Sequence, residues 1–185
     1  MKIICINGFP RLRSGKDTFV NFCYSFGSII QSYSTVDFVK KIAKECGWNG
    51  VKDLKSRKFL SDLKDILTEW DDIPVRDIKR RILEFIGPVE NLGYNTDKII
   101  FFIHTREPKE LQRFKDEFGA KTLLIQRPSV ENNEQSNHAD KEVMNFNYDY
   151  IIDNDGTLED LQKKADSFII NILKENWNSY IEEEF

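Results

Sequence analysis

The 185 residues predict an α/β fold of three layers: a parallel sheet of about five strands with helices on both faces. Three observations carry this. Short continuous apolar runs at 3–6, 99–103 and 123–125 read as strands covered on both faces. Segments with apolar residues at helical spacing alternate with them, as successive β-α-β units require. The chain is 40% hydrophobic and 12% aromatic, enough to bury the core of one ordinary domain, so a single domain over residues 1–185 is expected.

The elements follow in order. Ile3 to Ile6 is bounded by Asn7-Gly8, and a Gly/Pro/Arg-rich loop leads to a helical pattern over 16–26. Tyr33 to Val36 is the second strand, and Phe38 to Cys46 a helix with Gly47 as its stop. Residues 52–72, rich in Lys and Asp, place Phe59, Leu60, Leu63, Ile66 and Leu67 at helical spacing. Trp48 and Trp70 either pack or line a pocket. Pro74 opens a helix with Val75, Ile78, Ile82, Leu83 and Ile86 as its stripe, ended by Gly87-Pro88. Ile99 to Ile103 is the most apolar run, a central strand with Phe101 and Phe102 in the core. Pro108 to Phe118 is helical and stops at Gly119; Leu123 to Ile125 is a strand. Residues 128–148 are polar and form a small lid, with a short helix expected from Asn137-His138-Ala139-Asp140. Tyr150 to Ile152 is the last strand. Thr157-Leu158-Glu159-Asp160 has the form that caps a helix start, and Leu161, Ala165, Phe168, Ile169 and Ile172 follow at helical spacing. Residues 176–185, ending in three Glu and a Phe, read as an acidic, solvated extension. There is no internal repeat.

Composition excludes several function classes. With 27 Lys and Arg against 31 Asp and Glu, net charge −4 and pI near 5.4, nothing argues for nucleic-acid binding. Cys5, Cys23 and Cys46 are odd in number and lack a C-x-x-C pair, so neither a disulfide framework nor a zinc site is read from them. The start runs straight into a strand pattern and no apolar stretch has membrane-spanning length, so a cytoplasmic protein without membrane partners is expected.

The chemistry concentrates after the first strand. Gly8-Phe9-Pro10-Arg11-Leu12-Arg13-Ser14-Gly15-Lys16-Asp17-Thr18 links that strand to the first helix, the context of a phosphate-binding P-loop. Gly15 lets the backbone approach a phosphate. The first N–H groups of the helix lack internal partners and point at an anion, and the helix dipole adds attraction. Lys16 supplies a cation between the β- and γ-phosphates of a nucleotide such as ATP. The spacing departs from G-x-x-x-x-G-K-[ST]: Pro10 stands where the first glycine belongs, Gly8 is two residues early, and Asp17 takes the Ser/Thr position ahead of Thr18. Asp17 or Thr18 would hold Mg²⁺, directly or through water. Of Arg11 and Arg13, one would contact phosphate.

These residues, with others in the same order, resemble phage-type deoxynucleoside monophosphate kinases of the P-loop superfamily. Ser14-Gly15-Lys16-Asp17-Thr18 matches that family's S-G-K-D-T loop. Val36-Asp37-Phe38-Val39-Lys40-Lys41-Ile42-Ala43 is similar to its segment after strand two. His104-Thr105-Arg106-Glu107-Pro108 stands in place of its D-x-R-x-P, with His for Asp. Gln126-Arg127-Pro128 looks like its lid arginine, and Asp153-Asn154-Asp155-Gly156-Thr157-Leu158 like its turn near the adenine. The resemblance implies a three-layer α/β/α P-loop NTPase fold and an ATP- and Mg²⁺-dependent kinase. The implied acceptor is a (deoxy)nucleoside monophosphate or another phosphorylated metabolite such as dephospho-coenzyme A or phosphomevalonate; a nucleotide-binding protein without catalysis is the alternative.

Its implied donor site is Arg13, Ser14, Gly15, Lys16, Asp17 and Thr18, with Asn154 and Gly156 offering backbone groups to the adenine. The implied acceptor site is Asp37, Lys40, His104 and Arg106. Lys16, Asp37, Arg106 and Arg127 would carry catalysis: Asp37 orients the acceptor oxygen, takes its proton or caps a helix, and Arg127 closes over the transferring group, its fork suiting phosphate oxygens. The small-molecule nucleotide is the only partner implied, and the oligomeric state stays open, a dimer included.

Overall fold

A computed structural model describes residues 1–9, 14–24, 29–129 and 143–181. The chain forms two compact units, residues 1–32 with 95–185, and residues 33–94.

The first unit is built on a parallel sheet whose order is β2-β3-β1-β4-β5: β1 (Lys2–Phe9), β2 (Ile29–Ser34), β3 (Ile99–His104), β4 (Lys121–Gln126) and β5 (Tyr150–Asp153). The last two residues of β2 fall in the second unit. β1 lies in the middle, with Ile4 opposite Phe102 on β3 and Lys121 on β4. Its residues Ile3 to Ile6 and all of Ile99 to Ile103 are fully buried, as continuous apolar runs covered on both faces should be. One face is covered by α1 (Lys16–Cys23) and α6 (Leu158–Lys174). Ile4, Ile6, Ile100, Phe102, Leu123 and Ile125 join Phe19, Val20, Cys23, Leu161, Phe168 and Ile172 in one apolar cluster. Phe19 and Phe168 meet edge to face at 5.6 Å. Helix α5 (Pro108–Phe118) packs on β1 and β4 through buried Leu111 and Phe114. Burying each such side chain contributes about 1.5–3 kcal/mol before conformational entropy is counted.

β4 and β5 are stapled at their N-terminal ends. Asp149 Oδ2 accepts from Thr122 N and Oγ1, both at 2.8 Å, and the Thr122 hydroxyl accepts from Asp149 N at 3.0 Å. α6 begins with the expected capping box: Thr157 Oγ1 accepts from Asp160 N, and Asp160 Oδ2 from Thr157 N.

The second unit contains α2 (Asp37–Glu45), α3 (Leu54–Asp71) and α4 (Ile73–Asn91), packed on one another. Val39, Ala43, Val75, Ile78, Ile82 and Ile86 are its buried apolar residues. α3 starts with Asp53 accepting from Ser56 N at 2.7 Å. Asp72, in the left-handed region at φ 49°, ends α3 and precedes α4, with Pro74 in the first turn.

Several expectations are corrected. β2 begins at Ile29 rather than Tyr33 and ends at Ser34. It is an edge strand with Ile30 its one buried residue, so no continuous apolar run marks it. α4 does not stop at Gly87-Pro88 but continues to Asn91, because a proline in the last turn removes only one helical hydrogen bond. Trp70 is 82% exposed rather than packed, and Trp48 donates its indole N–H to Val51 O at 2.9 Å.

The segment from Trp177 is not a solvated extension as far as Ile181. Ser179 N donates to Met1 O at 3.1 Å, its buried hydroxyl accepts from Ile3 N at 2.9 Å, and Tyr180 N donates to Phe118 O at 3.1 Å. Lys2, also buried, donates its ammonium to the carbonyls of Ile172 and Glu175 at the end of α6. Most of the expected lid, and the helix from Asn137, lie outside the described residues.

Candidate phosphate-binding site

The order 2-3-1-4-5 places neighbours of opposite connectivity on either side of β1. Its carboxyl end is therefore the switch point where open α/β sheets bind ligands. The turn leaving β1 returns against the strand at Gly8. A Cβ there would stand 2.3 Å from Ser14 Oγ and 3.2 Å from Lys16 Cβ. The glycine read as two residues early is the one on which the loop closes. Gly15 precedes α1 at φ 85°, a conformation side chains disfavour, and a Cβ on it would lie 2.2 Å from Asn154 Nδ2. Ser14 is 4% exposed and its hydroxyl accepts from Lys16 N at 3.4 Å. Pro10 to Arg13 lie outside the described residues, Arg13 with them.

Lys16 Nζ donates to Asp17 Oδ1 at 2.6 Å and contacts His104 Nδ1 at the end of β3. On the other side of the ring, His104 Nε2 lies within hydrogen-bond distance of Ser32 Oγ, at 2.8 Å. Burial alone would raise the Asp17 carboxyl. The hydrogen bond from Lys16 and the charges of Lys16, His104 and Arg106 outweigh it and hold the group below its usual value. The cluster thus brings Lys16, Asp17 and His104 together and adds Ser32, which the sequence reading missed by starting β2 at Tyr33.

The remaining candidates are placed as follows. Arg106 is exposed, and its carbonyl accepts from the buried Asn7 side chain at 3.2 Å. Arg127 N donates to Phe9 O at 2.8 Å, pinning the end of β4 to the end of β1; its Nε finds no hydrogen-bond partner among the described residues. Thr18 is half-buried in the first turn of α1. Gly156 adjoins the α6 capping box, where a Cβ would come 2.7 Å from Asp160 Oδ2. Asn154 has another task than offering its N–H to a base. That N–H donates to Gln126 O at 2.7 Å, and the side chain donates to Ser14 O at 2.8 Å.

Asp37 and Lys40 belong to the second unit, both half-buried. The Asp37 carboxylate accepts from Ser34 N at 2.9 Å and from Arg81 Nη1 at 3.1 Å. Arg81 was not singled out in the sequence; its guanidinium also lies 4.0 Å over the Tyr33 ring.

A divalent ion fits these residues in one respect. Asp17 is an ionised, 83% exposed carboxylate at the start of α1, and Mg²⁺ is held by one or two carboxylates together with substrate phosphates. Among the described residues no three His, Cys, Asp or Glu side chains gather into a metal site. No helix among the described residues is long and apolar enough to cross a membrane.

A five-stranded parallel sheet with a glycine-bracketed turn and a lysine at the carboxyl end of its middle strand is the α/β P-loop NTPase fold. Among solved structures the chain is similar to dephospho-CoA kinase from Campylobacter jejuni, at 19% identity over 94% of this chain and 98% of that one, with a TM-score of 0.51. It also matches a Thermus thermophilus protein at 19% identity over 92% and 97%, with a TM-score of 0.42. No family model matches, and no curated protein matches. The structural likeness supports the α/β P-loop fold but not the narrower resemblance to phage-type deoxynucleoside monophosphate kinases.

Proposed function

We propose that this chain is an ATP-dependent small-molecule kinase whose acceptor is of the dephospho-coenzyme A type, a nucleotide-like molecule bearing a free hydroxyl. The observation that carries the reading is the closed turn at the end of β1. Gly8 and Gly15 leave no room for side chains, and the Lys16 ammonium lies at the start of α1 against Asp17 and His104. The N–H groups at the start of α1 and the Lys16 ammonium would hold the donor phosphates. To do so, Lys16 turns from Asp17 and His104 to the incoming anion. Asp17 and Thr18 would hold Mg²⁺, which when bound neutralises phosphate charge. Arg106 and Arg127 would add cations beside the site; Asp37 and Lys40, in the second unit, are the residues proposed for the acceptor.

The acceptor class is supported by the likeness to the Campylobacter jejuni enzyme, which ranks it above the nucleoside monophosphates that the sequence favoured. The test is ADP release from ATP and Mg²⁺ with dephospho-coenzyme A, each nucleoside monophosphate and phosphomevalonate, for the native chain and for Lys16→Ala. Turnover with dephospho-coenzyme A that falls at least about 100-fold in Lys16→Ala supports the proposal. Turnover with a nucleoside monophosphate alone would return the acceptor to the earlier reading. ATP binding without transfer to any acceptor would show a nucleotide-binding protein without catalysis.

A further inference from the structure

We propose that Asn154 is a positioning residue for the phosphate loop, acting through Ser14 and Gly15 rather than on the nucleotide base. Its side chain is 5% exposed and lies at the carboxyl end of β5, far along the chain from the loop it touches. Ser14 O can only accept, so the carboxamide nitrogen faces it, and that bond is 2.8 Å long and buried. The Asn154 backbone is itself anchored, through its N–H to Gln126 O at 2.7 Å at the end of β4. Gly15 is shaped to this contact, since any Cβ would come 2.2 Å from Asn154 Nδ2 and 3.3 Å from its Cγ.

The carbonyl that Asn154 holds belongs to the peptide whose N–H is that of Gly15, and the next N–H is that of Lys16. Fixing this carbonyl fixes the plane of an amide that must face a phosphate, and orientation set in advance is what makes backbone donors effective at an anion. The sheet thus grips its own phosphate loop from two strands away. Hydrogen-bonding capacity is the requirement here, since a carboxylate of the same shape would turn an acceptor toward an acceptor.

This inference rests on the donor site proposed above. The experiment measures KM for ATP, KM for the acceptor, kcat and the unfolding midpoint for the native chain, Asn154→Ala and the isosteric Asn154→Asp. A fluorescent ATP analogue gives affinity in parallel, so that a variant slow in turnover is still read. The expected result is a rise of about tenfold in KM for ATP in Asn154→Ala, corresponding to about 1.4 kcal/mol, a larger rise in Asn154→Asp, and an unchanged KM for the acceptor. Should Asn154→Ala fail to fold, Asn154→Asp, which keeps the volume, carries the comparison. Variants that unfold earlier yet keep native affinity for ATP would overturn the inference and leave the kinase reading standing. A native chain that binds no ATP would overturn both.

Discussion

Asp149 shows what one carboxylate contributes when its neighbours are donors. Burial would raise its carboxyl; the hydroxyl and N–H of Thr122 and the ammonium of Lys115 at 3.1 Å outweigh that and hold it below the usual carboxylate value. A depressed folded-state pKa means that the stabilisation is complete above the unfolded value and is lost as pH falls through the folded one. Asp149→Asn should cost about 1–2 kcal/mol near neutral pH, and the gap from the native chain should close as pH drops below the ordinary carboxylate range. Urea unfolding at several pH values measures this; a gap that does not vary with pH would contradict the assignment. The same attention to single residues explains Gly8. From sequence it looked misplaced against the spacing of the motif, but what the turn needs is an absent side chain opposite Ser14, and that requirement is set by how the chain closes rather than by a count of residues.

The C-terminal strap after α6 is the element that departs most from expectation. Its three glutamates suggested solvent, yet Trp177 packs against the core cluster, Tyr180 lies against Gly119, and Ser179 satisfies an N–H of β1. Removal of residues 176–185 should lower the thermal midpoint by several degrees, since each kcal/mol lost shifts a chain of this size by about 2–4 °C. Calorimetry that finds the midpoint unmoved would mean that the strap adds nothing to stability. Elements with continuous apolar runs, β1, β3 and β4, were legible because both of their faces are buried. β2 was displaced because an edge strand alternates and carries polar residues such as Gln31, Ser32 and Ser34. The strap was illegible because its hydrogen bonds join it to Met1, Ile3 and Phe118, pairings no local pattern encodes. In the site, Ser14 to Lys16 were visible as a motif, whereas the tasks of Asn154 and Ser32 depend on strands brought together from distant segments.

At the scale of the whole molecule, the candidate residues fall into two units. The loop, the His104 cluster and Asn154 belong to the sheet; Asp37, Lys40 and Arg81 belong to the helical unit of residues 33–94. The cysteines divide in the same way. Cys5 and Cys23 are buried in the first unit, where burial pushes the Cys5 thiol well above its usual value and the Cys23 thiol up to about 12. Cys46 is exposed at the end of α2 in the second unit. A thiolate is the form that reacts, so a maleimide dye offered to the folded protein should attach once, at Cys46, and two further equivalents, at Cys5 and Cys23, should enter only on unfolding. Mass spectrometry of the labelled protein checks the stoichiometry. The helical unit is thereby open to a reporter without any engineered change, and the dye's emission would follow that unit while nucleotide and acceptor are added in turn.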